Sequence, residues 1–171
     1  MKILDHIHRK RREKTLLRLA ATPHEKRLPN LDQVRSIGIV LPDSVPQEEQ
    51  RILQYFNDHM VKRHIVVSLY RLPAPNDKDN HTRIGFPSPA HLSTFSSHTY
   101  DLLFATTPPD DHRTLFAILS TPARLRIAYD DTSLLPSPLA TQAYDLFIRG
   151  NGPCNLAGYL RETLLILTNI K

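Results

Sequence analysis

Short apolar segments recur along this chain, and segments with helical spacing separate most of them. The apolar segments cover residues 34–41, 64–70, 100–106, 123–129 and 144–148. Runs of this length that contain β-branched residues are typical of strands buried on both faces of a parallel sheet. Parallel strands need crossover connections, which are usually helical. The pattern therefore predicts an α/β fold: an open, mostly parallel five-stranded sheet with helices on both faces, which is the doubly wound arrangement.

Helices are predicted between the strands and after the last one. Ser44 and Gln47 have the spacing of a capping box, which predicts a helix that extends to about Lys62 or Arg63. Further helical patterns cover residues 90–98, 112–121 and 153–168. A long irregular connection is predicted over residues 71–89, which contain four prolines, and a Pro- and Ser-rich loop is predicted before the last strand.

Positive charge is concentrated at the amino terminus. Residues 1–35 contain ten Lys or Arg and four Asp or Glu, a net charge of +6, whereas residues 36–171 have a net charge of −1. Residues 2–22 contain no Pro or Gly, which predicts a helix of about five turns that ends before Pro23. We therefore divide the chain into a basic helical arm and linker, residues 1–33, and a single α/β domain, residues 34–171.

This basic arm is the strongest functional signal in the sequence. A dense set of cations neutralises several phosphates and makes binding strongly salt-dependent. No aromatic residue is interleaved with them, which disfavours stacking on single-stranded bases. We therefore expect a non-enzymatic interaction protein in which residues 1–22 contact a polyanion: RNA, a ribosome surface or DNA. The seven cations are Lys2, Arg9, Lys10, Arg11, Arg12, Lys14 and Arg18.

The arm has other interpretations. A solvated helix or an oligomer contact would have the same composition. The arm could also dock the domain onto another protein or onto an anionic lipid surface, although its apolar residues form no single stripe. A protein partner therefore stays an alternative to the polyanion.

The turn after the fifth strand gives an alternative from a different functional class. Ligands of open α/β sheets bind beyond the carboxyl ends of the strands. Arg149, Gly150, Asn151 and Gly152 lie at such an end, where backbone amides and a helix N-terminus can hold an anion. The alternative is a small-molecule (anion or phosphate) binding or enzymatic domain. A tight turn with a solvated arginine explains the same residues.

No catalytic motif accompanies these features. Neither a Gly-x-Gly-x-x-Gly fingerprint nor a Gly-Lys-Ser/Thr loop occurs, and no histidine pair has the spacing of metal ligands. Carboxylates at strand ends are only a weak indication of a magnesium site, because acidic residues are also common in turns. We therefore expect neither a metal nor a cofactor. These carboxylates belong to Asp43, Asp110, Asp111, Asp130 and Asp131.

The remaining candidates concern single residues and location. Cys154 is the only cysteine and is interpreted as a small buried residue, and Ser44 as a helix cap rather than a nucleophile. No apolar run approaches the ~18 residues of a membrane span, and the first residues lack the apolar core of a signal peptide. We therefore expect a cytoplasmic protein without a transmembrane segment.

The strands also carry a family resemblance. The two Tyr-Asp-Leu strands, residues 100–104 and 144–148, are similar to those of small uncharacterised bacterial proteins that share a domain of unknown function. Residues 37–39, 119–127, 159–160 and 167–170 extend this likeness over most of the chain. The resemblance implies an α/β domain with a basic N-terminal helix and an intracellular setting, and it implies no activity.

Overall fold

Five parallel strands form one sheet in the computed structural model, which describes residues 2–24, 26, 28–130, 136–149 and 156–169. The strands are β1 (Ser36–Leu41), β2 (Val66–Arg71), β3 (Tyr100–Ala105), β4 (Ala123–Asp130) and β5 (Leu146–Arg149). Their order across the sheet is β2-β1-β3-β4-β5. The predicted α/β fold with a parallel five-stranded sheet is confirmed. Because the chain winds outward from β1 in both directions, the order has a switch point between β1 and β3.

Helices cover both faces of this sheet. They are α1 (Lys2–Ala20), α2 (Gln47–Val61), α3 (Pro89–Ser96), α4 (His112–Ser120), α5 (Pro138–Ala143) and α6 (Leu156–Asn169). Helices α2 and α6 pack on one face of the sheet, and α3, α4 and α5 pack on the other. Helix α1 lies against α4 and α5, so the basic helix extends the second face.

The start of α2 differs from the prediction. The capping box predicted at Ser44 is wrong: Pro46 occupies the N-cap position without a side-chain hydrogen bond, and Ser44 is exposed. The backbone of Pro46, with φ −54° and ψ 149°, is outside the helical region, so the helix begins only after it. The side chain of Gln50 instead donates to the carbonyl oxygen of Val45 at 2.8 Å, which ties the first turn to the preceding segment.

Part of the loop predicted before β5 is helical. Residues 138–143 form α5, which begins after Ser137, whose hydroxyl oxygen accepts from the amide of Ala140 at 3.1 Å. Pro138 stands in the first turn, where its fixed φ angle suits a helix. The amide of Tyr144 still bonds back to the carbonyl of Ala140, so β5 begins at Leu146 rather than at Tyr144.

Two carboxylates fix neighbouring strands at the amino edge of the sheet. Asp101 of β3 accepts from the amides of Arg35 (2.8 Å) and Ser36 (3.0 Å) at the start of β1. Asp145, which precedes β5, accepts from the amide of Arg126 in β4 at 2.9 Å. The aspartates of the two Tyr-Asp-Leu segments therefore have the same structural role.

Candidate anion-binding surface

The cations of the arm lie on two sides of α1. Successive helical residues are rotated by about 100° around the axis, so residues three or four apart share a side. Leu16 is only 2% exposed and joins the core beneath α1, which fixes the inner side of the helix. Four cations on the opposite side are exposed, and we call them the outer basic stripe: Lys10, Arg11, Lys14 and Arg18.

Arg9 and Arg12 lie towards the α/β domain instead. Together with residues of α4 and α5, their side chains line a shallow cleft of about 540 Å³. Arg12 is half-buried and donates from Nη1 to the carbonyl oxygen of Ile84 at 3.4 Å. The seven predicted cations are therefore not one cluster. The side chain of Lys2 lies outside the described residues.

Ile84 belongs to the connection between β2 and α3, which is anchored by an aromatic side chain. Phe86 is buried and stacks on Phe116 of α4, with ring centroids 4.4 Å apart. The amide of Thr82 donates to the carbonyl of Phe86 at 2.8 Å and closes a tight turn. Gly85 completes the turn with a φ angle of +83°, a conformation that L side chains rarely adopt. The connection is irregular, as predicted, yet it has a defined structure.

The start of α4 forms the other wall. Asp111 caps the helix by accepting from the amides of Arg113 (2.8 Å) and Thr114 (3.2 Å), and the Arg113 side chain folds back onto the same carboxylate. Burial favours a higher pKa for Asp111, but these hydrogen bonds outweigh burial and hold its pKa below the ordinary value. Asp111 is therefore ionised at neutral pH and fixes the position of Arg113.

A cleft of about 620 Å³ lies between these two segments, which follow β2 and β3 at the carboxyl side of the sheet. Five of its lining side chains are cationic or imidazole groups, and we call it the cationic cleft: Lys78, His81, Arg83, His112 and Arg113. Asp111 is the one carboxylate among the described lining residues. An anion of the size of a sugar phosphate fits such a volume.

His112 joins the cationic cleft to the cleft beside α1, because it lines both. Burial lowers the pKa of His112, and the nearby guanidinium of Arg12 lowers this pKa further, with a smaller effect from Arg113. The carboxylate of Asp111 opposes them. The lowered pKa, due first to burial and then to Arg12, makes the neutral imidazole the form favoured near neutral pH.

The predicted anion pocket after β5 is described only in part. Arg149 is 59% exposed on its side chain, and its Nε lies 3.4 Å from Oδ2 of Asp130, its partner in the β4–β5 register. Gly150, Asn151 and Gly152 lie outside the described residues. Arg149 thus already has a carboxylate partner.

The other candidates have structural positions. Asp43 is exposed, Asp110 bonds to the Ser137 hydroxyl, and Asp130 pairs with Arg149. Asp131 and Cys154 lie outside the described residues. Within the described ranges no group of three or more His, Cys, Asp and Glu side chains is arranged to hold a metal ion. No described helix combines the length and apolarity needed to cross a membrane.

Sequence reasoning missed the cationic cleft. Lys78 and Arg83 lie in a segment whose prolines predicted only an irregular connection. Arg113 lies in a helix that was predicted from its apolar residues alone. Their convergence depends on how residues 72–88 fold back on α4, which no local pattern encodes. The available signal was modest: Lys78, His81, Arg83, His112 and Arg113 all follow strands at the edge where ligands of such sheets bind.

Comparisons with known proteins give no relative for this surface. No protein-family model matches the chain, and neither a curated protein nor a solved structure matches it significantly. The resemblance to a bacterial domain family stays a prediction.

Proposed function

We propose that this protein is a non-enzymatic binding protein that contacts the phosphate backbone of a nucleic acid through the outer basic stripe of α1. The observation that carries this proposal is the burial of Leu16 beneath α1. An unattached arm would present its cations in many arrangements, and ordering them would oppose binding. A helix packed on α4 and α5 presents them in one arrangement before the ligand arrives.

The spacing of the stripe suits a polyanion. Lys10, Lys14 and Arg18 follow each other at four-residue intervals, so each is about 6 Å further along the helix. Double-stranded DNA carries one negative charge per ~1.7 Å of its axis, so this stripe faces several phosphates at once. Arg11 widens the stripe. Binding of this kind releases counterions and is therefore weakened by salt.

The composition of the surface favours phosphates over bases. Helix α1, which carries the outer basic stripe, contains no Phe, Tyr or Trp. Single-stranded nucleic acids are usually held by base stacking on such rings. A surface of guanidinium and ammonium groups recognises the backbone instead, with little dependence on base sequence.

The test compares two variants that lose the same charge. In the stripe variant, Lys10, Arg11, Lys14 and Arg18 are all changed to Ala. In the control variant, four exposed cations on α2 and β2 and between them are changed to Ala: Arg51, Lys62, Arg63 and Arg71. Binding to fluorescein-labelled duplex RNA and duplex DNA is followed by anisotropy at several salt concentrations.

We expect the stripe variant to lose most of its affinity and the control variant to stay close to the wild type. The slope of log K against log salt becomes shallower by about 0.9 for each phosphate contact that is lost. If the two variants bind the duplexes with equal affinity, the binding depends on the net charge of the protein and not on the outer basic stripe. A wild-type protein that binds neither duplex at low salt would overturn the proposal.

The cationic cleft supports a second candidate function, the binding of a small anionic molecule such as a sugar phosphate or nucleotide. The specific observation is the convergence of Lys78, Arg83 and Arg113 around about 620 Å³ at the ligand-binding side of the sheet. A thermal-shift screen against nucleotides and sugar phosphates tests it. A K78A/R83A variant should lose any stabilisation that the wild type shows, whereas the stripe variant should keep it.

A further inference from the structure

A buried arginine lies near the amino edge of the sheet, at the opposite end from the cationic cleft. Arg126 belongs to β4, between strands β3 and β5, and is only 6% exposed. Its side chain is on the same side of the strand as Ala128, which packs beneath α4 and α5. A charged side chain in this position is unusual, because arginine is almost never fully buried unless it is paired.

The guanidinium of Arg126 is poorly partnered. Its Nη2 donates to the carbonyl oxygen of Thr121 at the long distance of 3.5 Å. Its Nε has no hydrogen-bond partner among the described residues. No described carboxylate lies within ion-pairing distance of the guanidinium.

The nearest acid is already engaged. Asp145 accepts from His24 at 2.8 Å and lies 3.5 Å from the ammonium of Lys26, and it also holds the backbone amide of Arg126. It acts on the Arg126 guanidinium only as a more distant charge. Burial lowers the pKa of Arg126, and the field of Asp145 opposes this without removing it. Leaving a buried charge without a close partner destabilises a fold.

Arg126 also lines a solvent-facing cleft of about 610 Å³. One wall is formed by the end of α1 and the residues after it, including Thr22 and His24. The other contains Ser120 and Arg124, the second of which pairs with Asp101 at 3.0 Å. Hydroxyl groups, the imidazole of His24 and the guanidinium of Arg124 therefore line the same cleft as the buried guanidinium.

We propose that this cleft, which we call the Arg126 cleft, binds the oxyanion group of a small molecule, a phosphate or a carboxylate, against the guanidinium of Arg126. The two terminal nitrogens of an arginine form a planar fork that matches two oxygens of such a group. The anion would supply the close partner that the buried cation lacks. The cleft volume accommodates a metabolite that carries the oxyanion as one of its groups.

This site is independent of the proposed nucleic-acid function. The outer basic stripe faces solvent on α1, whereas Arg126 lies beneath α4 and α5. Loss of duplex binding in the stripe variant leaves the Arg126 cleft intact, and removal of Arg126 leaves the stripe intact. Failure of one proposal is therefore distinguishable from failure of the other.

The experiment titrates the full-length protein with inorganic phosphate and, separately, with acetate, at a constant ionic strength of about 0.15 M. Chemical shifts of arginine Nε–Hε groups report the binding, and the Arg126 signal is assigned from its absence in R126K. The variants are R126M, R126K and, as a control at an exposed arginine that lines none of the clefts described above, R63M.

We expect a saturable shift of the Arg126 signal in the wild type, at least a tenfold weaker affinity in R126M, and unchanged affinity in R63M. A larger response to phosphate than to acetate identifies a phosphate ligand, and the reverse identifies a carboxylate. If R126M does not fold, a saturable shift in the wild type and a weaker affinity in R126K support the proposal. No saturable shift with either anion, or equal binding by R126K, R126M and the wild type, would overturn the proposal.

An internal counter-ion is the rival explanation. Glu25 follows His24 in the sequence and lies outside the described residues, so E25Q is titrated as well. We expect E25Q and the wild type to bind the anion alike. If E25Q binds phosphate or acetate and the wild type does not, a carboxylate of the chain itself occupies the cleft and the proposal is wrong.

Discussion

Arg12 donates from its guanidinium to the carbonyl oxygen of Ile84, a residue 72 positions later in the chain, at 3.4 Å. The bond joins the basic helix to the turn that forms one wall of the cationic cleft. The arm and the α/β domain therefore share a polar contact as well as the apolar contact at Leu16. Predictions about the arm follow from both contacts.

Replacing Arg12 by Ala should destabilise the protein modestly. The variant loses one hydrogen bond and the packing of a half-buried side chain, which together are worth about 1 kcal/mol. The exposed neighbour Arg11 provides the control, and R11A should change the free energy of unfolding by less than about 0.5 kcal/mol. Urea denaturation measures both. Equal effects of the two substitutions would show that α1 is not held by this bond.

Replacing Leu16 by Ala should have a larger effect. Removing a fully buried leucine side chain costs about 2–4 kcal/mol. The variant should also be cleaved faster by trypsin between Arg9 and Arg12, because a detached α1 frays. Leu17 is 44% exposed, so L17A should leave both measurements close to the wild type. Unchanged cleavage in L16A would mean that α1 stays docked without this contact.

Stability should fall as pH is lowered through the titration range of His112. The folded-state pKa of His112 is depressed by burial and by Arg12 and Arg113, with Asp111 opposing. The unfolded chain therefore binds a proton first, near pH 6.5, and the folded state loses stability from there until the pH passes below the folded pKa. Between pH 7.5 and 5.5, urea denaturation should show a smaller loss for H112Q than for the wild type. A wild type and H112Q with parallel pH profiles would contradict this assignment.

Replacing Gly38 by Ala should strain the centre of the sheet. A Cβ at this position would lie 2.8 Å from Cδ1 of Leu103 and 3.0 Å from ring atoms of Phe95 and Tyr100. Overpacking of this kind costs about 1–3 kcal/mol, and thermal unfolding measures the loss. Gly85 gives a contrasting case, because a Cβ there meets its nearest atom only at 3.6 Å while its φ angle of +83° is unfavourable. G85A should therefore be destabilised through the backbone, by about 1 kcal/mol.

The strands were predictable because a strand that is buried on both faces has a continuous apolar sequence. All six residues of β3 are buried, and its segment is continuously apolar apart from Asp101. Helix α5 was missed although Ser137 and Pro138 form a recognisable start, since a helix of six residues has little room for apolar periodicity. Ser44 and Gln47 have the spacing of a capping box, but the helix begins after Pro46, which occupies the N-cap position without a side-chain hydrogen bond.

The functional surfaces were less predictable than the strands. The sequence indicates the cations of α1 but not which of them face solvent, because that division depends on the contact at Leu16. Arg124 and Arg126 stand two apart in β4, which places them on one side of the strand. Alternation alone predicts their common side, but the burial of Arg126 depends on residues from α4, α5 and the segment after α1.

The carboxylates of Asp101 and Asp145 have a consequence for how the strands align during folding. Each bonds to backbone amides at one position of the neighbouring strand, Ser36 in β1 and Arg126 in β4. A slip of one residue along either strand would move that amide about 3.3 Å away and leave a buried carboxylate without its donors. Apolar side chains on a strand buried on both faces tolerate such a slip comparatively well. These two aspartates therefore raise the free energy of a sheet in which a strand is shifted by one residue, and so favour the native alignment.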